Sequence, residues 1–290
     1  VLPEADFYCP IPWEPLEIAT PAALEAAVAE GCDGLLDRVF QLIVHELEYA
    51  APAWCEATGL RQLTPDSIAD AWFADRLTHD PFQWAQHNLQ EVERNKRERH
   101  TVPWRYAILR LHEAIETVVP QLNDEDSRRF RQGLARVFID NYAAIPPESI
   151  RRLLALHQAG ILRIVALGED YELQRESDRT LIVHHQQRCE FDVFIDARGQ
   201  KALKTRDLPF PSLRQQLLAC GDAIPDVGDD YTLQAPEAVR GRVAFGALPW
   251  LMHDRPFVQG LTASAEIGSA MARAVSQQAT GRRRRLWFIE

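Results

Sequence analysis

The spacing of apolar residues along the chain changes near residue 145. From Pro21 to about Tyr142 they recur every three or four positions, most regularly at Leu35, Leu36, Val39, Phe40, Ile43, Val44 and Leu47. This spacing places an apolar stripe along one face of a helix. We therefore predict about six helices between residues 21 and 142, packed around a common core.

Cap residues indicate where several of these helices begin and end. Thr20-Pro21, Thr64-Pro65 and Asp80-Pro81 each pair an N-cap residue with proline at the first helical position. Gly160 follows a further amphipathic run and is expected to end that helix. Residues 1–20 are rich in proline, which removes backbone donors, so this segment is predicted to be extended and irregular.

After Gly160 the chain contains short runs rich in β-branched residues. "ILRIVALG", "DYELQRE", "RTLIVHH" and "EFDVFIDARG" are predicted strands, and the alternation around residues 171–185 favours an antiparallel ribbon. The run from Val193 to Ile195 is apolar on both faces, which is typical of a strand covered on both sides in a parallel sheet. A further strand is predicted from Arg242 to Ala247, followed by a helix that starts near Gly260. The expected class is mixed α/β: an extended segment at 1–20, a helical region at 21–145 and an α/β region at 146–290.

Composition narrows the class of protein and its location. The chain has 290 residues, 46% of them hydrophobic, and a net charge of −10, which indicates a globular protein and disfavours a nucleic-acid partner. The five cysteines show no CxxC pair, and no apolar run reaches the length of a membrane span. We expect a cytoplasmic protein with no membrane association. The chain begins at Val1 without methionine, so we expect a processed product or a fragment.

Common catalytic and metal-binding motifs do not occur in the sequence. There is no GxGxxG, GxSxG or HExxH pattern. His184 and His185 are adjacent on a predicted strand and would point to opposite faces, so no metal site is expected there with Cys189. Trp72, Trp84 and Trp104 fall at positions compatible with a helical core, and we expect them to pack there rather than to form a ligand platform.

Two segments could hold a cofactor. One is the strand end Asp196-Ala197-Arg198-Gly199, and the other combines Gly246 with the helix start Gly260-Leu261-Thr262. Glycine permits close backbone approach, and a helix N-terminus offers free N–H groups to an anionic or carbonyl oxygen. The alternative is that both segments are ordinary strand and helix termini of an α/β core.

These segments resemble those of a known family. "EFDVFIDARGQ", "GRVAFGALPW" with the following "DRPFVQGLTASAEIGSAMARAV", and "DPFQWAQHNLQEVERNKRERHTVPWRYAILRLHEAI" are similar to parts of bacterial FAD/NAD(P)-binding oxidoreductases. The resemblance extends from about Leu63 to Val275. It implies that FAD contacts Asp196, Ala197, Arg198, Gly199, Gly246, Gly260, Leu261 and Thr262, with NAD(P)H as the reductant and a small molecule as substrate.

Two features depart from that family. Arg198 stands where threonine is usual, and the N-terminal GxGxxG unit that holds the cofactor's pyrophosphate is missing. The resemblance therefore implies the C-terminal portion of an oxidoreductase, which depends on a missing N-terminal nucleotide-binding segment and binds FAD weakly or not at all by itself. The alternative is a non-enzymatic protein-interaction module on a degenerate flavoprotein scaffold. The residues identify no catalytic side chain, substrate or oligomeric state.

Overall fold

The computed structural model describes residues 13–167, 170–184, 187–197, 202–253, 255 and 260–286. The chain divides into two compact units, Val1–Asp196 and Ala197–Glu290. The first unit contains a group of helices followed by a small sheet, and the second contains helices and irregular segments.

The first unit is built mainly from α-helices that run in succession along the chain. They are α1 (Pro21–Ala29), α2 (Leu35–Ala50), α3 (Pro52–Thr58), α4 (Ile68–Leu77), α5 (Pro81–Glu98), α6 (Pro103–Glu116), α7 (Asp124–Gln132), α8 (Leu134–Tyr142) and α9 (Pro147–Gln158). The described residues thus form eight helices up to Tyr142, where about six were expected. Two short interruptions account for much of the difference: Ala51 separates α2 from α3, and Gly133 separates α7 from α8.

The core of this unit lies along the predicted apolar face of α2. Its seven predicted stripe residues are all 3% exposed or less. Side chains of the later helices complete the core, including Leu111 of α6, Phe130 of α7 and Phe138 of α8. The period of the apolar residues therefore predicted the buried face of α2 correctly.

The predicted helix ends are confirmed in three of four cases. The Thr20 hydroxyl accepts the N–H of Ala23, and the Asp80 carboxylate accepts two N–H groups of the first turn of α5. Gly160 follows α9 with a φ of +72°, which suits glycine. The start predicted at Thr64-Pro65 is three residues early, because these residues form a separate turn before α4 begins at Ile68.

The extended segment before α1 is held by a buried carboxylate. Glu46 of α2 is fully buried, and its carboxylate accepts the backbone N–H groups of Glu17, Ile18 and Ala19, with the shortest distance, 2.6 Å, to Ile18. The Tyr106 hydroxyl accepts the N–H of Glu14 at 2.8 Å. The described residues of this segment, 13–20, contain no helix or strand.

Arg129 joins α7 to α2 and to the turn before α4. Its guanidinium donates to Asp37 at 2.7 Å, to Asp66 at 2.8 Å and to Asp126 at 2.8 Å. Hydrogen bonds from Arg129 lower the pKa of Asp37 and of Asp66. Asp126 is buried and also accepts the N–H of Leu36. One arginine therefore connects three segments that are distant in sequence.

Gly133, between α7 and α8, lies directly against the turn before α4. A Cβ added there would sit 2.0 Å from the carbonyl oxygen of Pro65. Glycine is required at this position because the two backbones approach too closely for any side chain.

A three-stranded antiparallel sheet follows the helices. Its order is β1 (Tyr171–Arg175), β2 (Thr180–His184) and β3 (Gln187–Phe191). Leu173 pairs with Ile182, and Ile182 pairs with Cys189. The antiparallel ribbon predicted from alternation is confirmed.

Other predicted strands do not form. Residues 161–167 and 193–197 have no regular structure, and Val193 and Ile195 are 75% and 81% exposed. The expectation of a strand covered on both sides is therefore wrong for this region. β-branched composition alone does not make a strand, because a strand also needs a neighbouring strand that accepts its hydrogen bonds.

The second unit contains α10 (Pro211–Ala219), α11 (Leu248–Leu251) and α12 (Gly260–Leu286). Its small core consists of Leu208, Leu217, Leu233 and Phe245. The strand predicted from Arg242 to Ala247 is wrong, since only a single bridge between Thr232 and Ala244 forms. Loop backbone in this part of the unit pairs locally instead of extending a sheet.

The mixed α/β class is confirmed, because the described residues form both helices and strands. Within the described residues, however, the only sheet is the antiparallel β1-β2-β3 meander. The parallel sheet of an FAD/NAD(P)-binding-type domain, expected within residues 146–290, is not formed by the described residues of that range. No described helix combines the length and apolar character needed to cross a membrane.

Candidate binding pocket

A pocket of about 400 Å³ lies among the helices of the first unit. Trp54, Trp72, Trp84 and Trp104 line it, and we call it the tryptophan pocket. The other lining residues are mainly apolar. They come from α2, α4, α6 and α8 and from the 3-10 turn after α3, and they include Ile43, Leu47, Leu60, Ile68, Ile108, Leu134, Val137 and Phe138. The polar part of the lining comprises Thr58, Asp75, Arg76, His87, Asn88, Glu91 and Arg105.

Local sequence sets where each of the four tryptophans lies on its helix. Trp54, Trp84 and Trp104 lie in the first turns of α3, α5 and α6, and each of these helices begins with proline. Trp72 lies in α4, about one turn after the buried residues Ile68 and Ala69 and on the same face of the helix. Proline at the first helical position fixes the direction of each helix start and therefore the position of the indole that follows it.

The indole rings form a compact cluster. Trp54 and Trp104 are stacked, with ring centroids 4.7 Å apart and ring planes 7° from parallel. Trp72 meets both rings edge to face, at 6.2 Å from Trp54 and 5.4 Å from Trp104. All four tryptophans are partly exposed rather than fully buried. The expectation that Trp72, Trp84 and Trp104 pack in the core is thus met only in part: they are partly exposed and border a cavity that buried core residues such as Phe138 also line.

Asp140 of α8 anchors the polar side of the pocket. Both of its carboxylate oxygens accept from the Arg76 guanidinium, at 2.6 and 2.8 Å, and one also accepts from Trp72 Nε1 at 3.0 Å. Burial by itself would raise the pKa of Asp140, but the hydrogen bonds from Arg76 and Trp72 outweigh it, so the pKa lies below its ordinary value. Asp140 is therefore ionised and neutralises the charge of Arg76.

A second arginine lies on the aromatic cluster. The Arg105 guanidinium carbon is 4.3 Å from the centre of the Trp104 ring, within the range of a cation–π contact. Arg105 is 8% exposed. The stacked pair Trp54–Trp104 is therefore covered on the Trp104 side by a cation.

Two donors in the lining lack acceptors. Arg76 Nε and Trp84 Nε1 are buried, and neither has a hydrogen-bond acceptor in the part of the chain that the structure describes. The Arg76 guanidinium carbon is 5.7 Å from the centre of the Trp84 ring, so both donors belong to the same region of the pocket. A buried N–H without an acceptor costs about 1–3 kcal/mol.

The residues predicted to hold a cofactor lie elsewhere. Asp196 and Ala197 are exposed and have no regular structure, and they fall on the two sides of the division between the units. Arg198 and Gly199 lie outside the described residues. The strand predicted to lead into them ends at Phe191, and residues 192–197 form no strand.

The second predicted segment is in the second unit. Gly246 lies against the Ile267 and Met271 side chains of α12, so that a Cβ there would be 2.5 Å from the Met271 sulfur. Gly260, Leu261 and Thr262 form the first turn of α12, about two turns before Ile267. The structure thus brings Gly246 to the middle of α12 and not to its N-terminus. The role of these residues in cofactor binding stays a prediction.

Sequence reasoning missed most of the tryptophan pocket. It noted Trp72, Trp84 and Trp104 but not Trp54, Arg76 or Asp140. The available signal was that Trp54, Trp84 and Trp104 each follow a helix-starting proline by one to three residues. No group of three or more histidine, cysteine, aspartate or glutamate side chains suited to a metal ion occurs among the described residues.

The pocket lies in a part of the chain that matches a known family model. Residues 20–142 match the family model of the YdhS-like middle domain. All pocket-lining residues fall within this range. Over 288 residues the chain is 66% identical to the uncharacterized protein YdhS of Escherichia coli (strain K12), an alignment that covers 99% of this chain and 54% of that protein. No solved structure matches the chain.

These comparisons correct the family resemblance drawn from the sequence. The matched domain and the matched relative are both YdhS-like, and neither description names a flavoprotein or an oxidoreductase. The interpretation of the chain as the C-terminal portion of an FAD/NAD(P)-binding oxidoreductase is therefore wrong. The chain is similar to an uncharacterized YdhS protein and spans about half the length of that relative.

Proposed function

We propose that the helical region of this chain is a binding module for a small planar organic molecule, which occupies the tryptophan pocket. The observation that supports this most directly is the open space itself, about 400 Å³ bordered by four partly exposed tryptophans. Protein interiors rarely keep empty voids larger than a water molecule. Ligand pockets have volumes of about 300–1,000 Å³ and mostly apolar, aromatic walls.

The arrangement of the indoles suits an aromatic ligand. Offset-stacked and edge-to-face contacts are the favoured geometries between aromatic rings. The cluster already contains both, in the stacked pair Trp54–Trp104 and in the edge-to-face contacts of Trp72. A planar ring that enters the pocket can make the same two kinds of contact with the remaining indole surfaces.

The pocket supports binding better than covalent catalysis. Nucleophilic catalysis needs a nucleophile within hydrogen-bond reach of a general base. Among the described lining residues the only hydroxyl, that of Thr58, donates to the Trp54 and Cys55 carbonyls. The lining thus offers contacts and hydrogen-bond donors, and its one hydroxyl is not paired with a general base.

A matched pair of variants tests the proposal. Ala71 and Ala74 are both exposed residues of α4, and only Ala71 lines the pocket. We expect naphthalene-2-carboxamide, measured by saturation-transfer NMR and calorimetry, to bind the native chain. Ala71→Phe should fill part of the cavity and raise Kd about tenfold, which corresponds to about 1.4 kcal/mol.

Ala74→Phe serves as the control because it adds the same side chain to the same helix outside the pocket. Its Kd should stay within about twofold of the native value. The proposal fails if the native chain does not bind the naphthalene probe, or if both variants lose affinity to the same extent.

A further inference from the structure

The two buried donors of the tryptophan pocket define what a ligand has to supply. Arg76 Nε and Trp84 Nε1 both lack an acceptor within the described chain. The Arg76 guanidinium also lies 5.7 Å from the Trp84 ring, so a single ligand group can approach both side chains. Since a buried donor gains most from a group that accepts its hydrogen bond, the ligand should carry an acceptor oxygen at this end.

The charge of that oxygen is constrained by Asp140. The two terminal nitrogens of Arg76 already donate to both oxygens of Asp140, at 2.6 and 2.8 Å. This bidentate pair uses one N–H of each terminal nitrogen and neutralises the guanidinium. Nε is then the one nitrogen of Arg76 without an acceptor in the described chain, and because the charge is already balanced, it suits a neutral carbonyl oxygen better than a second carboxylate.

The other charged groups around the pocket also disfavour an anionic ligand. Asp75 and Glu91 are in the lining, and with Asp140 they outnumber the guanidinium groups of Arg76 and Arg105. Arg105 would attract an anion, but its cation already lies 4.3 Å over the Trp104 ring. Because Asp140 already neutralises Arg76, the charges that remain in the lining are the carboxylates of Asp75 and Glu91 and the guanidinium of Arg105. An anionic ligand would therefore meet a net negative charge, while a cationic ligand would meet Arg105 and the unsatisfied donors.

We propose that the ligand of this pocket is an uncharged aromatic compound with a carbonyl-type oxygen, such as an aromatic amide or lactam. Its oxygen accepts from Arg76 Nε and Trp84 Nε1, and its ring lies among the tryptophans. The inference rests on the proposed binding function and adds the chemical class of the ligand. Asp140 is then a specificity-determining residue, because it neutralises Arg76 without occupying Nε.

Three probes with the same ring test the class of ligand. They are naphthalene-2-carboxamide, naphthalene-2-carboxylate and (naphthalen-2-ylmethyl)trimethylammonium, which are neutral, anionic and cationic. We expect the amide to bind the native chain about tenfold more tightly than either charged probe. If a charged probe binds as tightly as the amide or more tightly, the inference is overturned while the binding function stands. If no probe binds, the binding function fails and the inference fails with it.

Two variants separate the roles of the polar groups. Trp84→Phe keeps an aromatic ring but removes the N–H. It should therefore raise the Kd of the amide about fivefold and leave the Kd of 2-methylnaphthalene, which has no acceptor, unchanged. Asp140→Asn leaves the Arg76 charge without its carboxylate, and it should shift the preference from the amide towards the naphthoate. If Trp84→Phe loses the same affinity for the amide as for 2-methylnaphthalene, the role of the N–H is refuted. This test stands even if Asp140→Asn does not fold.

Discussion

His112 on α6 should make the fold sensitive to mild acid. Its side chain is 14% exposed, and its ring centre lies 4.5 Å from that of Tyr142. Burial lowers the pKa of His112 from 6.5 to about 4. The Glu116 carboxylate is 3.8 Å from Nε2 and half exposed, so it does not offset the cost of burying an imidazolium.

The size of the effect follows from the two pKa values. The unfolded chain takes up a proton near pH 6.5, whereas the native ring stays neutral down to about pH 4. Between these values the unfolded state binds more protons, so the free energy of unfolding falls as the pH decreases. At 1.36 kcal/mol for each pH unit, the full loss is about 3 kcal/mol and is complete below about pH 4.

Urea unfolding of the native chain and of His112→Leu, followed by circular dichroism, measures this contribution. Between about pH 6 and about pH 4.5 the native chain should lose about 1.4 kcal/mol per pH unit more than the variant. The comparison is needed because Asp37, Asp66 and Asp140, whose pKa values are lowered, also reduce stability in acid, but they do so equally in both proteins. The reasoning is refuted if the free energy of unfolding depends on pH in the same way in the native chain and in His112→Leu.

Three further substitutions test the contacts that hold the first unit together. Glu46→Gln weakens the charge-assisted hydrogen bonds to the segment before α1. Hydrogen exchange of the amides at 17–19, measured by mass spectrometry, should therefore become faster. Unchanged exchange would contradict the anchoring role of Glu46. Arg129→Met leaves the buried Asp126 carboxylate without its cation and should cost about 3 kcal/mol in urea unfolding; a loss below about 0.5 kcal/mol would argue against this account. Gly133→Ala forces a methyl group against the Pro65 carbonyl and should cost about 2 kcal/mol, visible as a lower Tm, whereas an unchanged Tm would show that the turn can move.

Local rules predicted the helices well. The apolar stripe of α2 and the caps at Thr20 and Asp80 depend on residues within a turn or two of one another, so the sequence contains the necessary information. The break at Gly133 was not predicted, because its cause is the Pro65 carbonyl, which is far away in the chain. Such interruptions follow from tertiary contact and not from propensity.

The binding pocket depends on long-range contacts in the same way. Trp72 and Asp140 are 68 positions apart, and the hydrogen bond between them appears only once α4 packs beside α8. Tryptophan at a core-compatible position predicts burial, and sequence periodicity does not reveal whether neighbouring side chains fill the space around it. The same limit explains Val193 and Ile195, whose composition favours a strand although no neighbouring strand accepts their hydrogen bonds.

The tryptophan cluster also gives the protein an unusual optical property. Four of its seven tryptophans line one pocket, and three of their rings have centres 4.7–6.2 Å apart. Transition dipoles at such distances couple, and the folded protein holds Trp72 at 69–76° to the stacked pair in a fixed array. The indoles should therefore produce an exciton couplet that overlaps the helix bands of the circular dichroism spectrum. That couplet should disappear when α3, α4 and α6 separate, so it distinguishes loss of packing from loss of helix without any attached label.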